Sequence, residues 1–391
     1  MIFASHHLRR FPRPRAATLM SGGALLGLVL VAACAASEGT GPSGEQGPVV
    51  IPESDAGTSN DGAVSDAADE AAVIPCAIGN LCKVTSPLTS GAIAAMSGRS
   101  KDDVWASGSG GVLMHWDGKQ WTSVESQLGE TFYGIFLSAD EMWAVAGPLV
   151  LRRGLASDTV RTARTEELVE GVDNYRSIAG VSVLPNGETF VGFAPGYKSG
   201  AYYRAKYFAK LDFASAKVSY QPDALDPLGN QPQTDIGVRA QYLVPDKALW
   251  LVGDRASVVR YAVSPSGDAG TPALERGVVV PVVSQVNLRA AWGHDDELWA
   301  AGEHGAILHY DGSAWHFEDT GTTSVLHAIF GITPNDIWAG GEDGTVLHFD
   351  GTIWSPIATD HEGTFRAVWG SASDDVWIGG DGGLFHWGAL P

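Results

Sequence analysis

Cysteine is scarce in this chain: three residues out of 391, at positions 34, 76 and 82. That is too few for a disulfide-dense scaffold, and two thiols without a nearby histidine make a poor metal site. Basic charge is also short, with 25 Lys and Arg against 45 Asp and Glu and a formal net charge of −20. The imbalance argues against nucleic acid and anionic lipid as partners, both of which select basic surfaces. No stretch combines the length and apolarity that a comfortable membrane span needs. Missing too are the nucleophile elbow, the phosphate-binding glycine loop and paired metal-ligand histidines, so no catalytic residue and no cofactor is assigned.

The remaining 45% hydrophobic and 18% charged residues are ordinary globular material, in a length that allows one to three domains. Residues 1–33 stand apart. His6, His7, Arg9, Arg10, Arg13 and Arg15 precede an apolar run from about Leu19 to Ala33 that ends in small residues, the pattern of a secretory signal. The ending Val31-Ala32-Ala33-Cys34 resembles a bacterial lipobox. That resemblance implies a lipidated Cys34 as the first mature residue and firm membrane attachment. The alternatives are an ordinary signal or an anchor helix with an incidental cysteine. Removing 1–33 takes four arginines and no acid, which leaves the rest at about −24.

Residues 34–75 shift to Ala, Gly, Ser, Pro and acid, and from Ala35 to Pro75 there is not one Lys or Arg. Such a segment buries too little apolar surface to offset its ordering entropy, so a disordered acidic tether is expected. Residues 76–391 form the third region. Cys76 and Cys82, with five residues between them in an exported chain, fit a small disulfide loop, with a reduced pair as the alternative.

From Lys83 onward a pattern recurs. Its clearest copies are VLHAIFGITPNDIWAGGEDGTVLHFDGTIW and TFRAVWGSASDDVWIGGDGGLFHWG. Each is an apolar run ending in aromatic-Gly, an acidic pair, a Trp strand, a Gly-rich turn and a second run ending in His. In three copies Asp-Gly and another Trp follow. Anchored on the Trp of the second strand, copies fall at Trp105, Trp143, Trp250, Trp299, Trp338 and Trp377, with Phe190 filling the gap. A period near 40 built from short strands is the signature of a β-propeller, and seven anchors predict seven blades of four strands, A to D. Asp117-Gly118, Asp311-Gly312 and Asp350-Gly351 read as two-residue hairpin turns with positive φ at both positions. The last copy runs out of chain before a fourth strand, while residues 82–88 precede the first copy with nothing of their own to pair with. Residues 82–88 are therefore expected to close the seventh blade from outside, removing an open edge.

His115, His309, His348 and His386 recur at one place in strand C. One per sheet cannot converge on a ligand, so a structural partner is expected: the neighbouring Asp, an indole N–H or a carbonyl. The B–C and D–A loops share one face and gather Glu303, His304, Glu318, Asp319, Glu342, Asp343, Asp360, His361, Glu362 and Asp381. They read as a solvated rim rather than a cation site. Blade three carries an insertion on that face, with Tyr197, Lys198, Tyr202, Tyr203 and Arg204. Rigid aromatics beside basic side chains mark recognition surfaces, so these five are the candidate binding residues.

With the D-x-W…G…H-x-D-G-x-x-W pattern in hand, residues 83–391 resemble exported bacterial propellers with Asp-box and photosystem-assembly-factor-type repeats. WD-like propellers share the period and the Trp strand. The sialidase-type Asp-box has Ser-x-Asp-x-Gly-x-Thr-Trp, whereas here Asp and Gly are adjacent and His holds the Ser position. The resemblance thus implies the fold and not glycoside hydrolysis. The expected protein is an all-β, seven-bladed, monomeric propeller, tethered at Cys34 on the periplasmic or outer surface of a cell envelope. It would bind a protein or glycan partner without catalysis. An envelope-complex assembly factor is the first alternative, and a glycan-directed hydrolase or lyase the second.

Overall fold

The computed structural model describes residues 79–157, 159–164, 177–194, 197–198, 201–202, 208–215, 217–219, 237–266 and 271–390. The signal segment, the tether and Cys76 lie outside them. The described chain is built from antiparallel sheets, each read from strand A inward to strand D outward. Blade one comprises Ile93–Ser100, Asp103–Gly108, Leu113–Trp116 and Trp121–Ser123. Blade two comprises Gly134–Leu137, Glu141–Ala146, Leu149–Gly154 and Val160–Arg164. Blade three is Ile178–Val183, Thr189–Phe193, Phe208–Asp212 and Lys217–Ser219. Blade four is Val238–Val244, Ala248–Gly253 and Val258–Ser266, whose outer side pairs with both Thr271–Leu274 and Val278–Val279.

Blades five and six are the most regular. Leu288–His294, Glu297–Gly302, Ile307–Tyr310 and Trp315–Phe317 form the fifth, and Leu326–Thr333, Asp336–Gly341, Val346–Phe349 and Trp354–Pro356 the sixth. Blade seven joins Phe365–Ala372, Asp375–Gly380 and Gly383–Trp387 to Leu81–Val84, a strand from the other end of the described chain. The closure expected from sequence is present, with Leu81 opposite Trp387 and Val84 opposite Leu384. It is shorter than 82–88 because its partner strand begins at Gly383, directly after a turn, and offers nothing further to pair with.

Strand B reads as a nearly continuous apolar run because both of its faces are covered by adjacent blades. The indoles fill the wedges between sheets. Trp338 meets Trp387 of blade seven at 5.1 Å, and Trp377 meets Trp116 and Trp121 of blade one at 5.0 and 5.1 Å. Trp143 meets Phe213 of blade three edge-on at 5.3 Å. Each such indole contributes a few kcal/mol by burial, on the order of 25 cal/mol per Å². The buried clusters among the described residues each bridge two consecutive blades. One joins blades six and seven, and another, with Ile93, Ala106, Trp369 and Leu384, joins seven to one and completes the circle.

The Asp-Gly turns differ from expectation in one respect. Gly118, Gly312 and Gly351 have φ of 88–90°, but the aspartates do not share the left-handed region. Instead each Asp Oδ1 accepts the backbone N–H groups two and three residues on, as Asp117 does from Lys119 and Gln120 at 2.9 Å each. The two-residue loop is therefore Gly-Lys, Gly-Ser or Gly-Thr with Gly first, a II′-like arrangement, and the Asp side chain braces it from outside.

Candidate functional site

The recurrent histidines are framework. His115 Nε2 lies 2.8 Å from Asp103 Oδ1, His348 Nε2 2.9 Å from Asp336 Oδ1, and His386 Nε2 2.8 Å from Asp375 Oδ1. The same Asp oxygens accept the indole N–H of Trp105 at 3.1 Å and Trp338 at 3.0 Å. His309 instead pairs with Glu297 at 3.4 Å and stacks flat on Trp299 at 4.0 Å. Burial raises the Asp103 carboxyl, but hydrogen bonds and charge from Arg99 and His115 outweigh it and hold the group below its ordinary value.

Sequence reading missed that the other blades fill the same slot. Arg152 stands opposite Trp143, lies 5.1 Å over its ring and bonds Glu141. Lys210 stands opposite Phe190 and pairs with Glu188. Arg260 stands opposite Trp250, 5.6 Å over its ring, and reaches Asp296 of blade five at 2.5 Å. An acid, an aromatic two residues later and a cation opposite would have been the readable signal.

A second, different ring lies at the mouth formed by the B–C and D–A loops. Strand A begins with a buried anchor, Ile93, Ile178, Val238, Leu288, Leu326 or Phe365, in every blade but the second, where buried Phe132 lies two residues before Gly134–Leu137. The next residue sits at a register shift in every blade but the second, where Tyr133 likewise follows Phe132. Bulges of this kind re-aim a side chain. In blade order the residues that follow the anchor are Ala94, Tyr133, Ala179, Arg239, Arg289, His327 and Arg366. Tyr133 is 56% exposed, and the four basic residues are half-buried.

Each basic residue meets the first residue of its own B–C turn. Arg239 Nε bonds Asp254, and Arg289 Nη2 bonds Glu303 Oε1 at 2.8 Å while Asn287 holds the other oxygen at 3.0 Å. His327 Nε2 is 3.2 Å from Glu342, and Arg366 reaches both oxygens of Asp381 at 3.3 and 3.2 Å. In blade one, where Ala94 replaces the cation, Ser109 replaces the acid and accepts the Ala92 N–H at 2.8 Å. The pairs feel one another. Burial lowers the His327 pKa; Glu342 raises it, but the charges of Arg289 and Arg366 add to the lowering, which prevails. Burial raises Glu303 and Asp381, yet Asn287, Arg289 and Arg366 pull both carboxyls below the ordinary value. At neutral pH three arginines thus face four carboxylates, and the mouth is close to charge-balanced. The Nε–H of Arg289 is buried with no acceptor among the described residues, a cost of about 1–3 kcal/mol.

The mouth is held from below by a repeated clip. Ser126, Thr320 and Thr359, five residues beyond the strand D Trp, donate to Gly111, Gly305 and Gly344 carbonyls at 2.8, 2.8 and 3.2 Å. Glu303, Glu342 and Asp381 are therefore not free rim charges as their exposure on loops implied, but fixed partners of the ring. His361 packs between Phe365 and Phe385, and among the described residues no group of three or more His, Cys, Asp or Glu could hold a metal ion.

The predicted insertion is only partly described. Tyr197–Lys198 and Ala201–Tyr202 pair as a short hairpin in the B–C connection of blade three, on the same face as the mouth ring. Tyr203, Arg204, Cys34 and Cys76 lie outside the described residues. Among the described residues no helix is long and apolar enough to cross a membrane.

No protein-family model matches the chain, and no curated protein matches it in sequence. Solved structures do match in shape. YCF48 bound to D1 peptide is 16% identical with a TM-score of 0.55, over 78% of this chain and 93% of that one. YCF48 from Cyanidioschyzon merolae is 13% identical with a TM-score of 0.58, over 80% and 99%. The chain is a β-propeller. The extracellular domain of BT4673 from B. thetaiotaomicron gives 14% and 0.54, over 79% of the propeller chain and 40% of its own. At these identities the likeness carries the propeller fold alone.

Proposed function

We propose that this chain is an exported, lipid-anchored propeller that binds a partner, protein or glycan, at the cell envelope without transforming it. One observation carries the reading. The slot between the blades is filled by one chemistry throughout, whereas the seven equivalent mouth positions hold alanine, tyrosine, arginine and histidine. Positions that serve packing repeat, and positions released from packing differ on the face that also bears the blade-three hairpin. In this reading Tyr197, Lys198, Tyr202, Tyr203 and Arg204 of the blade-three insertion would be the partner-binding residues. The extracellular propeller of BT4673 supports an exported domain, and Cys34 would supply the anchor. Cys82 is disulfide-bonded, which supports the expected Cys76–Cys82 loop. The assembly-factor reading is favoured by one observation, the YCF48 propeller solved with a D1 peptide.

The test has two parts. Cys34→Ser should move the chain from the membrane pellet to the soluble fraction, and an unchanged pellet would remove the anchor. Crosslinking on envelope fractions should give adducts that Tyr202→Ala/Tyr203→Ala depletes, and adducts mapping to the opposite face would remove the face assignment. Turnover on a glycan panel, abolished by one acid-to-amide change at the mouth, would replace binding with catalysis.

A further inference from the structure

We propose that the mouth ring is a binding site for an uncharged, hydroxyl-rich glycan, with Tyr133 as its stacking surface and the charge-compensated pairs as its hydroxyl partners. The inference rests on the reading that this face binds the partner, and it chooses between the two partner classes.

Charge is the first argument. An anion trap needs unpaired cations, but every ring arginine carries its own carboxylate, Arg239 with Asp254, Arg289 with Glu303 and Arg366 with Asp381, and His327 stands against Glu342. A cation trap needs several unpaired acids, and the same pairing leaves only Glu342 without a full countercharge at neutral pH. An acidic peptide would have to displace the three carboxylates built onto the arginines, and a basic one the matching arginines. A sugar hydroxyl displaces nothing, because it donates to a carboxylate lone pair and accepts from a guanidinium N–H at once.

Geometry is the second argument. Arg366 and Asp381 meet side-on through two bonds, and Glu303 is held from both sides by Asn287 and Arg289. Held in this way, the planar groups spend little rotamer entropy on a ligand. Arg289 adds an Nε–H without an acceptor among the described residues. Tyr133 is the third. It is one of the few large apolar side chains of the described chain left exposed, and it stands between Ala94 and Ala179, the two smallest members of the ring. Small neighbours leave the phenol's face uncovered, as stacking of a pyranose against it requires.

The experiment titrates the full chain with neutral glucose hexamers of β-1,4, β-1,3 and α-1,4 linkage, and with hexaglutamate and an oligogalacturonate as charged arms, by calorimetry at low and high salt. At least one neutral hexamer should saturate, with an affinity that changes less than about twofold between the salts. Tyr133→Ala should weaken it roughly tenfold, Tyr133→Phe should retain it, and Arg366→Ala should weaken it about fivefold. Both positions are solvent-exposed enough that thermal melting checks the fold independently. Saturation by no neutral hexamer, equal binding by Tyr133→Ala, or tighter binding of a charged arm that salt abolishes would each overturn the glycan assignment. Loss of the glycan with Tyr202/Tyr203-dependent adducts intact would leave the binding face standing and dismiss only the ligand class.

Discussion

Blades one, five, six and seven place an imidazole opposite the strand B indole; blades two, three and four place Arg152, Lys210 and Arg260 opposite Trp143, Phe190 and Trp250. The regular blades keep the whole unit within one sheet, because imidazole is short and its acid must lie next to it on strand B. The longer cations relax that constraint. In blade four Ala248 stands where the acid would be, and Arg260 reaches across to Asp296 in the next blade. Arg152 is likewise shared, lying over Trp143 and over Phe213 of blade three at 5.7 Å. The repeat is thus a repeat of physical roles. Where an arginine takes the slot it also ties the blade to its neighbour, Arg260 by charge and Arg152 by its contact with Phe213, whereas Lys210 stays with Glu188 of its own blade.

The largest effect should come from opening the circle at a regular blade. A chain that begins at Ser90 lacks Leu81–Val84, and with it the packing of Leu81, Val84 and Leu88 on two inter-blade clusters. The loss is on the order of 4 kcal/mol by apolar burial, and the Gly383–Trp387 strand becomes an unpaired edge. Urea denaturation should show a lowered midpoint and light scattering should show association. A monomer with the full-length midpoint would mean the ring does not depend on its closing strand.

Next in size is a test of the slot itself. Asp336 is buried and accepts from both Trp338 and His348, so Asp336→Ala should cost about 2–3 kcal/mol by leaving two donors unpaired. The Lys210–Glu188 pair is about one-third exposed on each side, and Glu188→Ala should cost no more than about 1 kcal/mol. Equal losses in chemical denaturation would erase the distinction between self-contained and divergent blades.

Acid should act on the mouth ring in one direction. The folded-state pKa of His327 lies below its ordinary 6.5, chiefly by burial. The unfolded chain therefore binds the proton first as pH falls below 6.5. Stability is lost through that window and the loss is complete once pH drops past the folded value. Thermal midpoints measured across the window should fall more steeply for the native chain than for His327→Gln, and parallel curves would show that His327 is not in this environment.

How much of this was legible follows from the kind of force involved. Indole spacing is a packing signal, so the period, seven blades and the closing strand could be counted from Trp105 to Trp377. Exact pairing was not legible, because strand ends depend on where the partner begins, as at Gly383. The cation slot was hidden in three blades because His, Arg and Lys look unrelated until the strand register places them together. The mouth ring was hidden for another reason. A bulge is a backbone event without a residue signature, although Arg or His followed by Asp or Glu 14 or 15 positions later recurs at 239–254, 289–303, 327–342 and 366–381. Tyr133 carried no pattern at all, since only its position after the buried Phe132 aligns it with the arginines.

The smallest expected effect compares one turn position between the two kinds of blade. The third residue of the B–C turn is Gly111, Gly305 and Gly344 in blades one, five and six, with φ of 79°, 68° and 66°. A Cβ there would come within 1.7–2.0 Å of a carbonyl oxygen of the following connection. Blade four places Ala256 at the same position with φ of 52°, its N–H donating to Val286 O at 2.6 Å. Left-handed backbone costs a non-glycine residue about 1–2 kcal/mol, so Ala256→Gly removes a strain that blades one, five and six do not carry at this turn position. Against this stand a buried methyl worth about 0.8 kcal/mol and the extra unfolded-state freedom of glycine, about 0.4–1 kcal/mol. The terms nearly cancel, and the midpoint should move by less than about 0.5 kcal/mol either way. A loss above about 1.5 kcal/mol would mean that the Ala256 methyl, rather than the turn geometry, organises blade four, and that its connection has been rebuilt around a side chain instead of merely tolerating one.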